Sequence, residues 1–262
     1  MRAAPIAEFP FEFHNGFLWV EVHVSESAEP LNFLLDSGAS VSVINLNTAR
    51  RLKLGLGHPV IVRGVKSTTK GFWPEKLSAK ADQVPLQNHY LAVDLEQLGQ
   101  ACNCCVDGLI GADFFCDKVV QIDFAEHKIR LSKSSEGIDG QTIIALKMRP
   151  CGMEIPVQIN SRKSQFVRLD TGCASSLQWV TREIQPNNCS QRPAVALTRF
   201  TVTETKSTVR LGNVEFQSVP TGIHAEAIFA GEAGLIGNGI LSHFKTVTID
   251  TKRGQLILGE RD

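Results

Sequence analysis

The chain has 262 residues, of which 43% are hydrophobic, and this is enough to bury one large core or two small ones. Its 27 basic and 27 acidic residues cancel, so the charge gives no reason to expect a nucleic-acid or acidic-membrane partner. The apolar runs are far shorter than the roughly 20 residues that cross a bilayer. We therefore expect no membrane span.

The N-terminal segment gives no sign of a targeting sequence. It carries one arginine and is then interrupted by Pro5, Glu8 and Pro10, so it lacks the hydrophobic centre of a signal peptide. Localisation stays open between the cytoplasm and a periplasmic or secreted location reached after removal of a leader.

The first half of the chain is predicted to be mostly β-strand. Residues 17–24 alternate apolar and polar side chains with period two, as do residues 118–124. Asn15-Gly16 precedes the first of these strands and is typical of a tight hairpin turn. Residues 46–55 are the best helix candidate because a glycine follows their apolar pattern.

The second half repeats the first. LNFLLDSGASVSVINL at 31–46 is matched by SQFVRLDTGCASSLQWV at 164–180, and each is an apolar strand that leads into Asp-Ser/Thr-Gly. The tetrapeptide GLIG then occurs at 108–111 and again at 234–237. The two aspartates are 134 residues apart and the two tetrapeptides 126, and this constant order and spacing indicate a duplication.

The segment between the repeats is rich in Ser and Gly and reads as a linker. We predict a first domain at 1–133, a linker at 134–141 and a second domain at 142–262. A weaker helix candidate lies at 224–234 in the second half.

The seven cysteines do not form a metal-binding pattern. Three of them crowd into residues 102–105, and no second knuckle accompanies them. We expect no metal and no cofactor. Buried free thiols, or one or two disulfides, explain the cysteines better.

The two Asp-x-Gly tripeptides are the candidate chemical site. One such tripeptide alone is typical of a plain turn, but here two copies follow apolar strands. Gly38 and Gly172 allow a sharp bend and a close approach of backbone N–H groups, while Ser37 and Thr171 place a hydroxyl beside each acid. If the two loops meet at a pseudo-twofold axis, the acids lie face to face.

Two adjacent carboxyl groups cannot both ionise cheaply, so Asp36 and Asp170 are expected to share one proton and to titrate as a unit. Such a pair can hold a water molecule. The ionised member takes a proton from the water as it attacks a carbonyl, and the protonated member donates to the carbonyl oxygen.

With these residues the chain resembles the pepsin-like and retropepsin-like aspartic proteases, and most of all small bacterial-type proteins with two retropepsin-like units in one chain. The matching motifs are Asp36-Ser37-Gly38, Asp170-Thr171-Gly172, Leu109-Ile110-Gly111 and Leu235-Ile236-Gly237. The resemblance implies a mainly β, bilobal acid-protease fold. It has two similar closed β-barrel-like lobes with a short helix or two, and the active site between the lobes. In the family, Gly111 and Gly237 let a second loop pass beneath the catalytic one.

The resemblance also implies the activity. The chain is expected to be an aspartic endopeptidase that uses Asp36 and Asp170 to hydrolyse extended peptides or proteins, and the shared-proton mechanism is carried over from the family. Both acids lie in one chain, so a monomer is expected to supply the whole site.

The family covers its substrate with a β-hairpin flap. Residues 61–77 look like this hairpin, with its tip near Gly64 to Gly71 and with Trp73 as a further flap candidate. The corresponding residues 197–211 of the second half are either a second flap or plain β structure, and we favour the first half for the working flap.

Three residues depart from the family pattern. The only tyrosine, Tyr90, follows the predicted hairpin, so Trp73 is left either to substitute for a flap tyrosine or to pack in the core. Ala39 and Cys173 stand where pepsin-like enzymes often carry a hydroxyl that supports the charged carboxylate. We therefore hypothesise a dyad that works at mildly acidic to neutral pH, and we interpret Cys173 as a small buried residue rather than a redox switch.

The main alternative is a protein that kept the protease fold as a binding module and lost activity. A glycosidase that uses two acids explains neither the paired Asp-x-Gly turns nor the repeated GLIG. Nucleophilic and zinc-dependent hydrolases are disfavoured because the chain has no GxSxG and no HExxH. Asn188-Cys189-Ser190 fits a glycosylation sequon.

Overall fold

The structure is a computed structural model. It describes residues 5–65, 67–138, 140–150, 152–181, 189–195, 199–229 and 231–261, and the asparagine of the sequon lies outside these ranges. Among the described residues, no helix is long and apolar enough to cross a membrane. The chain is mainly β, as the sequence predicts.

Within the described part of the first half, thirteen strands precede residue 133. They are β1 Ala7–Pro10, β2 Glu12–His14, β3 Phe17–Val24, β4 Leu31–Leu35, β5 Val43–Asn45, β6 Leu56–Gly64, β7 Ser67–Pro74, β8 Ala79–Ala81, β9 Val84–Pro85, β10 Leu91–Val93, β11 Gly108–Ile110, β12 Val119–Asp123 and β13 Lys128–Ser132.

Eleven strands follow in the described ranges of the second half. They are β14 Thr142–Ala145, β15 Lys147–Arg149, β16 Gly152–Ile159, β17 Gln165–Leu169, β18 Leu177–Val180, β19 Ser190–Val195, β20 Arg199–Leu211, β21 Val214–His224, β22 Gly234–Ile236, β23 Thr246–Asp250 and β24 Gln255–Leu258. The helices are short: α1 Leu46–Arg51, α2 Glu96–Cys102, α3 Asn238–Leu241 and a 3-10 turn at Ala112–Phe114.

A six-stranded sheet joins the two halves, in the order β1-β13-β12-β23-β24-β14. Its two central strands pair antiparallel, with Gln121 opposite Thr248 at the centre. The Gln121 amide donates to the Thr248 hydroxyl at 3.0 Å. These two residues are also 127 positions apart in the repeat, so the centre of this strand pair lies on the pseudo-twofold axis of the molecule.

Each half adds a lobe of its own, and the two lobes share a topology. In the first lobe β11 lies between β4 and β5, parallel to β4 and antiparallel to β5. In the second lobe β22 lies between β17 and β18 with the same two orientations. The strand made by the repeated GLI is therefore inserted beside the strand that ends in the candidate acid.

The second lobe closes into a barrel, whereas the first is interrupted. In the second lobe β16 pairs with both β17 and β20, which completes a ring of strands. In the first lobe β3 makes the corresponding pairing with β8. There the long strand β20 is replaced by two separate strands, β7 and β8, so the ring is broken between them.

Both lobes carry a β-hairpin at the edge of their sheet. The hairpin β6–β7 joins the first lobe through β10, which runs parallel to β5. The hairpin β19–β20 joins the second lobe through β21, which runs parallel to β18. Residues 197–211 thus fall largely on a strand of a hairpin that is topologically equivalent to the predicted flap.

Two helix predictions need correction, and one helix was not predicted. The first predicted helix, at 46–55, ends at Arg51, where Leu52 forms its C-cap. The candidate at 224–234 is wrong for the described residues, because β21 continues to His224 and irregular backbone follows. Helix α2 was not predicted, since its residues show no clear apolar periodicity and only Cys102 among them is buried.

Asp250 ties the linker region to the central sheet. Its buried carboxylate accepts hydrogen bonds from the Ser135 hydroxyl at 2.5 Å and from the Lys252 and Arg253 backbone N–H groups at 3.0 and 2.9 Å. It holds the β23–β24 turn and the chain that follows β13 in one arrangement.

We expect Asp250→Ala to lower the free energy of unfolding by about 2–3 kcal/mol, because three donors lose their acceptor in a protein interior. Urea denaturation followed by circular dichroism measures this loss. The control is Glu126→Ala, an exposed residue of the equivalent β12–β13 turn. A loss at Asp250 no larger than at Glu126 would contradict this account.

Candidate active site

The two acids lie at equivalent strand ends. Asp36 directly follows β4, and its N–H donates to the Ile110 carbonyl at 2.8 Å. Asp170 directly follows β17, and its N–H donates to the Ile236 carbonyl at 2.9 Å. The inserted GLI strand of each lobe therefore anchors the backbone of the acid beside it.

The two loops are joined by reciprocal hydrogen bonds. The Ser37 hydroxyl donates to the Leu169 carbonyl at 2.8 Å and accepts from the Thr171 N–H at 3.0 Å. The Thr171 hydroxyl donates to the Leu35 carbonyl at 2.8 Å and accepts from the Ser37 N–H at 2.9 Å. Both side chains are fully buried. Four backbone groups at the lobe boundary are satisfied in this way, each by the opposite lobe.

This arrangement brings the two carboxyl groups into hydrogen-bond contact with each other. Asp36 Oδ1 also accepts from the N–H groups of Gly38 and Ala39, both at 3.0 Å. Asp170 Oδ1 accepts from the Gly172 N–H at 3.0 Å. Asp36 thus has two backbone donors where Asp170 has one, and the pair is not symmetric.

Gly38 and Gly172 pack directly on the opposite acid. A Cβ atom at Gly38 would lie less than 3.0 Å from the Asp170 carboxyl carbon, and one at Gly172 less than 3.0 Å from that of Asp36. No side chain fits at either position while the carboxyl groups keep their contact.

The second pair of glycines lies beneath the loops. A Cβ at Gly111 would clash with the Val41 backbone, and one at Gly237 with the Cys173 carbonyl. The residues that follow each glycine also bond the loop above, since Ala112 N–H donates to Ala39 and Asn238 N–H donates to Cys173, both at 2.8 Å.

Burial dominates the acid–base behaviour of the pair. It raises the pKa of Asp36, although the Ala39 and Gly38 N–H groups, the hydrogen bond from Asp170 and the Arg168 charge act in the opposite direction. Burial, followed by the neighbouring Asp36 charge, raises the pKa of Asp170 well above its ordinary value. The pKa of Asp170 is therefore raised further than that of Asp36, and the two carboxyl groups titrate as a coupled pair.

The residues predicted for the flap are spread along the hairpin. Gly64 pairs with Ser67 and lies at the tip. Gly71 was predicted near the tip, but it pairs with Val60 inside β7, where a Cβ would approach Val62 and the Ala92 carbonyl. Trp73 lies further towards the base of the hairpin and is 42% exposed.

The tip of this hairpin faces the second lobe across a cavity of about 450 Å³. Gly64, Ser67 and Thr68 line one side, and residues 225–229 line the other. The buried Ser67 hydroxyl has no hydrogen-bond partner among the described residues. On the opposite side of the pseudo-twofold axis, α2 of the first lobe lies near β19 of the second-lobe hairpin.

With this geometry established, the chain can be compared with known proteins. Residues 20–114 match the family model described as aspartyl protease. The crystal structure of aspartic proteinase from Irpex lacteus superposes with a TM-score of 0.62 at 12% identity, over 98% of this chain and 97% of that one. Comparison with curated proteins gives no match.

The chain has the aspartic protease fold, and residues 20–114 are similar to the aspartyl protease family. The two findings together support a protease. The predicted two-lobed, mainly β architecture is confirmed by the structural match.

The departures from the family pattern can now be placed in this aspartic protease fold. Tyr90 is buried and packs edge-on against Phe33, with ring centroids 5.9 Å apart, so it belongs to the core and not to the flap hairpin. Ala39 contributes its backbone N–H to Asp36. Burial, followed by the Asp170 charge, raises the pKa of the Cys173 thiol to about 12, so this thiol stays protonated beside the dyad.

The other cysteines add no site. Cys102, Cys104, Cys105, Cys116 and Cys173 are free thiols, and Cys151 lies outside the described residues. Within the described ranges, no group of three or more His, Cys, Asp or Glu side chains is placed to hold a metal ion.

Sequence reasoning did not identify three residues that support the loops. The Asn238 amide donates to the Gly16 and Thr171 carbonyls, at 2.8 and 2.6 Å, and so fixes the N-terminal hairpin turn against the second loop. Arg168 and Glu232 form a buried ion pair next to the dyad. Arg168 is a charged residue among the apolar side chains at the end of β17, and this was the one signal in the sequence that could have identified it.

We expect Gly38→Ala and Gly172→Ala each to abolish activity with at most a moderate loss of stability, because the new methyl group displaces the opposite carboxyl. Gly231→Ala is the matched control. Its φ of +81° makes the substitution strained, but its Cβ would meet no atom within 4 Å, so we expect it to cost about 1 kcal/mol and to keep activity. Peptide cleavage and thermal unfolding measure both effects, and an active Gly172→Ala enzyme would contradict the steric argument.

The raised pKa of Asp170 also predicts how stability depends on pH. The folded state binds this proton more tightly than the unfolded chain, so stability is fully present below the unfolded pKa and falls as pH rises towards the folded one. We expect Asp170→Asn to remove this loss and to be more stable than the parent at neutral pH, by ~1.4 kcal/mol for each unit of pKa difference.

The measurement is chemical denaturation of both proteins at a series of pH values from about 4 upwards, where Asp170 would otherwise titrate. Asp117→Asn, on an exposed turn, controls for the loss of a surface charge. Parallel stability curves for the parent and Asp170→Asn would show that Asp170 does not titrate abnormally.

Proposed function

We propose that this chain is an aspartic endopeptidase in which Asp36 and Asp170 form the catalytic dyad. The observation that carries the proposal is the close approach of two half-buried carboxyl groups at the boundary of the lobes, where each lies against the glycine of the opposite loop. Burying two acids in contact is unfavourable for folding. A catalytic role as a singly protonated pair explains why the chain carries this arrangement.

The asymmetry of the pair suggests a role for each acid. Asp36, with its two backbone donors, is the carboxylate that takes a proton from the attacking water. Asp170 carries the shared proton and donates it to the carbonyl oxygen of the substrate as the tetrahedral intermediate forms. When the intermediate collapses, a proton passes to the leaving nitrogen, and the dyad returns to its singly protonated state.

The substrate of this proposal is an extended peptide held between the lobes. The cavity between the β6–β7 tip and residues 225–229 supports one part of such a binding path. The Ser67 hydroxyl, with no described partner, offers a hydrogen bond to a peptide backbone there. The hairpin β19–β20 holds the equivalent position in the second lobe and is therefore the candidate for a second flap. Trp73 lies towards the base of the hairpin β6–β7, so it is not the first candidate for a flap residue that contacts the substrate.

Both acids come from one chain, and we therefore propose a monomer as the active species, with lobes bounded as the repeat predicts, at 1–133 and 142–262. The raised pKa values of both carboxyl groups support a working range at mildly acidic to neutral pH. The acid limb of activity reports protonation of Asp36, and the alkaline limb reports loss of the proton from Asp170.

The test is cleavage of a mixed peptide library by the purified chain across pH, followed by mass spectrometry. Asp36→Asn and Asp170→Asn should each lower the rate by at least ~10⁴-fold, since either change removes proton transfer from the pair. Asp117→Asn should cleave like the parent.

Two outcomes would overturn the proposal. Cleavage that survives in either dyad variant would place the chemistry elsewhere. A folded parent chain that cleaves nothing at any pH would favour a protease-fold binding module instead.

A further inference from the structure

A positively charged side chain is buried beside the dyad. Arg168 lies on β17, directly before the Leu169-Asp170 step, and its side chain is only 3% exposed. Its Nε donates to Glu232 at 2.9 Å, and its Nη2 donates to the second Glu232 oxygen. The guanidinium also lies over the Phe229 ring, 3.9 Å from the centroid. A guanidinium group that is paired in this way has a fixed orientation.

The remaining nitrogen of the Arg168 guanidinium group makes a hydrogen bond to the first lobe. Arg168 Nη1 donates to the Gly38 carbonyl at 2.5 Å. The Gly38 carbonyl and the Ala39 N–H belong to one peptide group, and that N–H donates to Asp36 Oδ1 at 3.0 Å. A charged donor on the carbonyl polarises the peptide and strengthens its N–H as a donor. The positive charge is thus relayed through one peptide to the Asp36 carboxylate.

The first lobe has no such relay. The repeat places Leu34 where the second lobe has Arg168, and Val106 where it has Glu232. Both first-lobe residues are buried apolar side chains. Leu34 cannot donate to the Gly172 carbonyl, which is the counterpart of the Gly38 carbonyl. The Arg168–Glu232 pair therefore breaks the twofold symmetry of the lobes, and its bond to the Gly38 carbonyl acts on Asp36.

We propose that Arg168, held in place by Glu232, is a positioning residue that makes Asp36 the carboxylate and leaves the shared proton on Asp170. This inference rests on the proposed protease function, because it concerns the roles within that dyad. It adds that the buried ion pair strengthens one of the two backbone donors that distinguish Asp36 from Asp170.

The charges around the dyad fix the sign of the expected effects. Arg168 lowers the pKa of both acids, while Glu232 places a compensating negative charge on the far side of the guanidinium. The Cys173 thiol in the second loop stays neutral. Arg63 and Glu226 line the neighbouring cavity, but both are exposed and screened by solvent.

Two single variants should shift the acid limb of kcat/KM in opposite directions. Arg168→Leu removes the cation and leaves the Glu232 anion, so the pKa that defines the acid limb should rise by roughly one pH unit. Glu232→Gln leaves the cation without its compensating anion, so the limb should move down. In both variants kcat should change more than KM, because the relay acts on the reacting acid and not on substrate binding.

The double variant Arg168→Leu/Glu232→Val installs the first-lobe residues at the second-lobe positions. A buried ion pair replaced by apolar side chains often leaves stability unchanged or raised, so this variant should fold even if Arg168→Leu does not. Its acid limb should also move up, by less than in Arg168→Leu. Arg168→Lys keeps the positive charge but lacks the planar guanidinium group. Its acid limb should therefore lie between those of the parent and Arg168→Leu.

Arg149→Leu is the matched control. Arg149 pairs with Glu154 at 3.1 Å, and Glu154 stands opposite Arg168 in the β16–β17 register, but this pair makes no bond to either catalytic loop. Its pH profile should match that of the parent. Equal profiles for the parent and both Arg168→Leu and Glu232→Gln, or shifts of these two in the same direction, would overturn the proposal.

Stability against pH separates this inference from the proposed function. Denaturation curves of the parent, Glu232→Gln and the double variant report the titration of the dyad without any substrate. Opposite displacements of these curves would support the relay even if no peptide were cleaved, and coincident curves would overturn it even in an active enzyme.

Discussion

The reciprocal hydrogen bonds between Ser37 and Thr171 are the constraint on which the candidate site depends. Each hydroxyl satisfies one N–H and one C=O of the opposite lobe in a fully buried position. Separating the loops would leave four backbone groups unpaired, at about 1–3 kcal/mol for each. The two carboxyl groups are held together against their mutual repulsion because this exchange holds the backbone on which they stand.

The same closeness explains the glycines. Gly38 and Gly172 have the opposite carboxyl group in the space of a Cβ, and Gly111 and Gly237 have the overlying loop there. The four glycines are therefore steric requirements of one compact junction. Further from the junction the two lobes differ freely: β20 is one strand where β7 and β8 are two, and α2 corresponds to irregular backbone in the second lobe.

The backbone around the dyad is nearly symmetric, but the two acids have different surroundings. The strands and the loop-to-loop bonds repeat in both lobes, whereas Arg168 and Glu232 replace Leu34 and Val106 on one side only. A buried charge has a long reach in a medium of low dielectric constant, so a single ion pair is enough to make two equivalent acids inequivalent. The proposed hydrolysis needs this difference, because one acid must accept a proton while the other donates one.

The sequence by itself determined the duplication, the mainly β fold, the equivalence of Asp36 and Asp170 and the four glycines. These features depend on short local patterns that occur twice, and repetition makes a weak tripeptide specific. The hairpin at Asn15-Gly16 and the strands at 17–24 and 118–124 were predictable for a similar reason, since period-two alternation and turn residues are local signals.

Only the tertiary structure decided which groups meet across the lobe boundary. The bond from Arg168 to Gly38, the Asn238 amide on Gly16 and the cavity between the β6–β7 tip and residues 225–229 each join parts of the chain far apart in sequence. No local pattern encodes such contacts. The position of Gly71 inside β7 and the continuation of β21 to His224 were also decided by sheet pairing, because backbone hydrogen bonds to neighbouring strands override local propensity.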